Sequence, residues 1–148
     1  MKLSHKLLVK DAADLVPGEL VRSGAGWGVV TANDPAGAAI QPLRAGTQPV
    51  VETAPCLSGG RDWQLELDPR SIAAVALPTK PGSVVIDAQG VLLVTSDDGG
   101  GLSLDGEAVR GASGPLFTIN SFKVWGSASD PHDARGEPIL TVGPERGR

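Results

Sequence analysis

Two stretches of this chain are written to one plan. "PGELVRSGAGWGVVTANDPAG" runs from Pro17 to Gly37 and "PGSVVIDAQGVLLVTSDDGGG" from Pro81 to Gly101; laid over one another at an offset of 64, without a gap, they share eight identities in 21 positions. Turn chemistry accounts for part of the agreement, because Pro-Gly pairs and Asp-Gly runs recur wherever a chain reverses. The valines at matching places do not follow from turns. The offset predicts a three-stranded meander used twice (17–37 and 81–101), with Val21 equivalent to Val85 and Val30 to Val94. Two copies are too few for a solenoid. The expected result is two meanders sharing one sandwich or barrel core; twin small barrels are the other arrangement.

The rest of the chain agrees with a β protein. Twenty glycines and twelve prolines in 148 residues supply many turns, while 41% apolar content is too high for a disordered chain. "ELVRS", "WGVVTA" and "AAIQPL" make the first meander, with "NDPAG" as a turn. "PVVET" is the next strand, then a loop, "APCLSGGRD", then "WQLEL", where Trp63, Leu65 and Leu67 alternate with Gln64 and Glu66 as in a strand with one wet face. Asp68 followed by Pro69 fits a helix cap and first turn, so "PRSIAAVAL" reads as one short helix, with a buried strand as the competing reading. "SVVID", "VLLVTS" and "LSLDG" form the second meander, "LFTINSFKVWG" alternates with a slip at Asn120 and Ser121 that predicts a bulge or tight bend, and "PILTV" is the last strand. The chain is therefore expected to be all-β, a sandwich or barrel of about eight to ten short antiparallel strands with at most one or two short helices. An N-terminal arm (1–16) and a polar tail (143–148) would flank one β domain, 17–142, made of pseudo-repeats 17–80 and 81–142.

Charge narrows the partners. Residues 1–80 carry 8 Lys and Arg against 8 Asp and Glu, residues 81–148 carry 5 against 9, and no window gathers a basic cluster of the kind that neutralises several phosphates. Nucleic acid is not an expected partner. The longest apolar runs, such as "IAAVAL", are far too short to span a bilayer as a helix, and no secretory leader is recognisable, so no membrane role is expected.

Candidates for chemistry are few. "SGAGWG" is rich in glycine but leads into a strand where a phosphate cradle needs a helix start, so it reads as a hairpin turn. "SDPHDARGE" gathers Asp130, His132, Asp133 and Glu137 in one loop, oxygen and imidazole ligands that suit a divalent cation, although their spacing matches no calcium loop. Cys56 is the only cysteine, which excludes an internal disulfide, and it reads as a small buried hydrophobe. No cofactor site and no catalytic constellation is expected. Trp27, Trp63, Trp125, Phe117 and Phe122 are the only aromatic residues. They fit core positions; Trp125, Trp27 and Phe122 are the candidates for anchoring a partner.

The run "ALPTKPGSVVIDAQGVLLVTSDDGG", Ala76 to Gly100, resembles a short Pro-Gly-initiated β-meander of small structural and accessory proteins in tailed phages of actinobacteria. The resemblance implies a virion component, assembled in the host cytoplasm, that binds capsid or other virion subunits and identical neighbours rather than catalysing a reaction. A head-decoration or minor capsid subunit is the expectation. The alternative is a small-molecule- or glycan-binding β-domain with "SDPHDARGE" and Trp125 at its site.

Overall fold

The structure is a computed structural model that describes residues 7–75, 80–96, 100–103, 106–110, 115–126 and 138–143. It is all-β, in three open sheets. The first is built from β1 (Leu8–Lys10), β2 (Leu20–Ser23), β3 (Gly26–Asp34), β4 (Gly37–Pro42), β5 (Val50–Glu52) and β6 (Cys56–Ser58). The second uses β8 (Ile72–Val75), β9 (Val84–Asp87), β10 (Gly90–Val94), β11 (Gly101–Ser103), β12 (Ala108–Val109) and β13 (Leu116–Ile119). Their spatial orders are β1-β6-β2-β3-β4-β5 and β8-β13-β9-β10-β11-β12. Read from its own first strand, each sheet has the same antiparallel topology, in which the last strand returns to lie between the first and the second. The third sheet, β15-β14-β7, is made of β7 (Gln64–Leu67), β14 (Phe122–Trp125) and β15 (Leu140–Val142).

The 64-residue offset is visible in the hydrogen-bonded register. In the first hairpin Leu20 pairs with Val29, Val21 with Gly28, Arg22 with Trp27 and Ser23 with Gly26. In the second Val84 pairs with Leu93, Val85 with Leu92, Ile86 with Val91 and Asp87 with Gly90. The entries match too. Each begins with a Pro-Gly turn whose glycine has positive φ, 94° at Gly18 and 89° at Gly82, the conformation that makes glycine necessary there. The Gly18 amide donates to the Val30 carbonyl and the Gly82 amide to that of Val94, both at 2.8 Å. The equivalence ends at the third strand. The first β3–β4 hairpin pairs as far as Asp34 opposite Gly37, with a register shift between Val30 and Ala32, so Val30 lies opposite Ile40 while Val94 lies opposite Gly101.

Period-two alternation sends the two faces of each hairpin to different cores. Leu20, Val29, Val84 and Leu93 meet in a central cluster with Leu43, Leu102, Ile119, Phe122 and Val124. Val21 and Val30 face a separate cluster with Ala12, Leu15, Ala38, Ile40 and Cys56, and Val85 and Val94 face their own with Leu92 and Leu116. One shared core between the sheets and one private core behind each is thus the plan.

The halves also interlock. The β4–β5 loop of the first meets the Pro81-Gly82 turn of the second: the Gly46 amide donates to the Pro81 carbonyl at 2.8 Å, and a methyl group at Gly82 would overlap the Arg44 carbonyl. In return Gly106, in the β11–β12 loop, sits against the first turn, where a methyl group on it would lie 2.8 Å from the Pro17 carbonyl oxygen. Gln41 holds the first of these loops, its buried Nε2 donating to the Pro42 and Thr47 carbonyls. β7 and β14, the strands that follow the two sheets, pair antiparallel with each other.

Several sequence expectations need correction. "APCLSGGRD", expected as a loop, contributes β6, which lies between β1 and β2 inside the first sheet. Residues 8–15, expected in a free arm, form β1 and a 3-10 turn at Ala12–Asp14, and Leu15 is fully buried. Asp68 does cap, accepting the Arg70 amide at 3.0 Å, but the helix is a single 3-10 turn at Pro69–Ser71, and Ile72 onward is strand. Short apolar segments suit either state, and pairing with β13 decides for the strand. The slip at Asn120 and Ser121 is where the chain leaves the second sheet at Ile119 and enters the third at Phe122.

Candidate functional site

The predicted anchors separate. Phe122 is only 4% exposed and fills the central cluster, so its ring serves the shared core rather than an exposed anchor position. Trp27 is half-buried against the same cluster. Trp63 packs there too, and its indole N–H donates to the Gly18 carbonyl at 2.8 Å, tying the third sheet's approach to the first Pro-Gly turn. Trp125 closes β14 outside that cluster, half-buried, with its N–H on Glu66 Oε1 at 2.8 Å. Asp130, His132, Asp133 and Glu137 lie outside the described residues. Among the described residues no three His, Cys, Asp or Glu side chains gather as metal ligands, and no helix is long and apolar enough to cross a membrane.

Cys56 lies on β6, buried in the first private core. Burial pushes its thiol pKa up and the Glu52 charge pushes it further the same way, so the nucleophilic thiolate is suppressed. Such a thiol packs rather than reacts.

Glu19 is the buried charged residue among those described, and nothing in the sequence marks it beyond its place after Pro17-Gly18. Its Oε1 accepts from Lys10 Nζ at 2.9 Å and from Ser58 Oγ at 2.6 Å, and its Oε2 from the Val16 amide at 2.6 Å. Burial pushes the carboxyl pKa up, but the hydrogen bonds from Ser58, Lys10 and Val16 together with the Lys10 charge outweigh it, and the group stays ionised below the usual carboxylate range. A carboxylate engaged in this way is a strut: it fastens β1, through Lys10, to β2 and β6. The 64-residue counterpart of Glu19 is Ser83, so the second half has no such strut.

Of the five exposed large hydrophobic residues among those described, all but Val16 lie on strands. Leu8 and Val9 on β1 are 66% and 74% exposed, Val51 on β5 63%, and Phe117 on β13 41%. Val9 lies opposite Leu57 on β6, and Phe117 opposite Ala74 on β8, so corresponding places on the two sheets carry the exposed apolar pairs. On the second sheet the row Ala74, Phe117, Ile86, Val91 crosses four strands without a charge. Of that row Ile86 and Val91 pack against the central cluster, while Ala74 and Phe117 remain exposed toward the β8 edge.

No family model, curated protein or solved structure matches the chain.

Proposed function

We propose that this chain is a structural subunit of a virion, a head-decoration or minor capsid protein that stabilises a phage shell by binding capsid neighbours and copies of itself. The observation that carries the reading is the set of exposed Leu8, Val9, Val51 and Phe117 on strands at or beside sheet edges. Open edges offer unpaired backbone donors and acceptors, and apolar side chains beside them add burial when a neighbour docks. The phage-like character of residues 76–100 supplies the virion context. The test is composition: particles encoded by the same genome are purified and the chain is quantified in them. Many copies per particle are expected, and its absence from intact particles would overturn the reading.

One observation favours a second reading, a small-molecule-binding domain. A cleft of about 610 Å³ opens where Arg44 and Gly82 meet Ile119, Phe122 and Val142. Native mass spectrometry of the freshly purified chain checks this: a retained small molecule is the result this reading expects, and a bare chain mass counts against it.

A further inference from the structure

Among the described residues six strands form the edges of the three sheets, and four of them are guarded. β5 follows Pro49 and ends in Glu52, β12 is two residues long between Glu107 and Arg110, β7 carries Glu66, and β15 follows Pro138. Charge, proline and brevity are the usual means of keeping an edge from pairing with another chain. The remaining two lack them. β8 reads Ile-Ala-Ala-Val, without charge or proline, with Ala73 and Ala74 exposed. The one charge on β1, Lys10, is engaged with buried Glu19, which leaves Leu8 and Val9 uncovered. These two edges hold the same position in the shared topology.

We infer that β1 of one copy pairs antiparallel with β8 of the next, joining the first sheet of one chain to the second sheet of its neighbour. Val9 is in line with Leu57 and Arg22, and Ala74 with Phe117 and Ile86, so both lie on the face of their sheet that carries the central core. Antiparallel pairing with Val9 opposite Ala74 keeps the faces of the joined sheets continuous, sets a bulky side chain against a small one, and places Val9 within reach of the exposed Phe117 ring beside Ala74. Pairing β8 with its own copy leaves Leu8 and Val9 in water, and pairing β1 with its own copy opposes bulk to bulk. The mixed contact covers both edges at once. Being heterologous, it closes into a ring or runs on as a filament. This names the surface for the self-association part of the structural role and rests on that reading.

Two chains are prepared on a Cys56→Ser background, one with Val9→Cys and the other with Ala74→Cys. Mild oxidation of the mixture is expected to give a disulfide-linked heterodimer, and neither chain oxidised alone gives a linked dimer. Ala74→Lys in the otherwise native chain is expected to reduce the mass seen by light scattering to that of a monomer with an unchanged melting temperature; Val9→Lys serves if the first variant does not fold. Cross-linking of one variant with itself but not of the mixture, a native chain that is monomeric at every concentration, or an assembly that survives both lysine variants would each overturn the inference. A chain abundant in particles but failing these tests keeps its structural role by other contacts. A chain that pairs as described but is absent from particles loses the virion reading alone.

Discussion

A carboxylate with 1% of its surface exposed keeps its charge only where partners replace the lost water, and at Glu19 three donors do so. Its folded pKa is depressed, so the ionised group adds stability that is complete above its unfolded value, about 4.3, and is lost as pH falls through the folded value. Melting temperature should therefore drop on acidification below about pH 4. Glu19→Gln should cost about 1–3 kcal/mol near neutral pH and show a shallower acid limb in the same titration. The tryptophans divide by place. Trp63→Ala removes a core-packed ring and should cost about 3–5 kcal/mol in chemical denaturation, whereas Trp125→Ala, outside the central cluster, should leave the isolated chain's melting temperature nearly unchanged and, under the proposed virion role, weaken particle binding by about 2 kcal/mol. Cys56→Ser should cost about 1–2 kcal/mol, and the native thiol should react with a thiol reagent only on unfolding.

At the scale of elements, the positive-φ glycines of the turns admit a graded test. Gly26→Ala meets only the conformational penalty of its φ of +98°, about 1–2 kcal/mol, because no atom lies within 4 Å of the added methyl group. Gly82→Ala carries the same penalty and also overlaps the Arg44 carbonyl, so denaturation should show it to be clearly the more damaging. The hairpins themselves were legible in the sequence, since matching turns with matching valines fix both register and face. The β7 strand was legible from strict alternation. β6 was not: Cys-Leu-Ser has no alternation long enough to read, and it is strand because β1 and β2 flank it on either side. β8 lay between two readings because four small apolar residues carry no period, and its partner β13 lies 45 residues away in the chain. The strut at Glu19 was illegible for the same reason, as Ser58 stands 39 residues off. The exposed apolar places on β1 and β13 depend on which strand becomes an edge, a property of the sheet rather than of the segment.

For the molecule as a whole, two similar halves could unfold separately, as repeat units often do. Here the central cluster draws Leu20 and Val29 from one half and Val84 and Leu93 from the other, and each Pro-Gly turn is covered by a loop of the opposite half. Calorimetry should show one transition with equal calorimetric and van't Hoff enthalpies, and substitutions in either half should move that same transition.

The pairing of β7 with β14 bears on how the molecule is made. A ribosome delivers residues 64–67 long before residues 122–125, so β7 emerges with its partner still unsynthesised, and the turn at Gly18 waits for Gly106. The first half can gather its private core around Val21, Val30 and Ile40 at once, but its inner face stays open to solvent until most of the chain has followed. Maturation is therefore vectorial, and the nascent chain carries an uncovered apolar face for most of its translation.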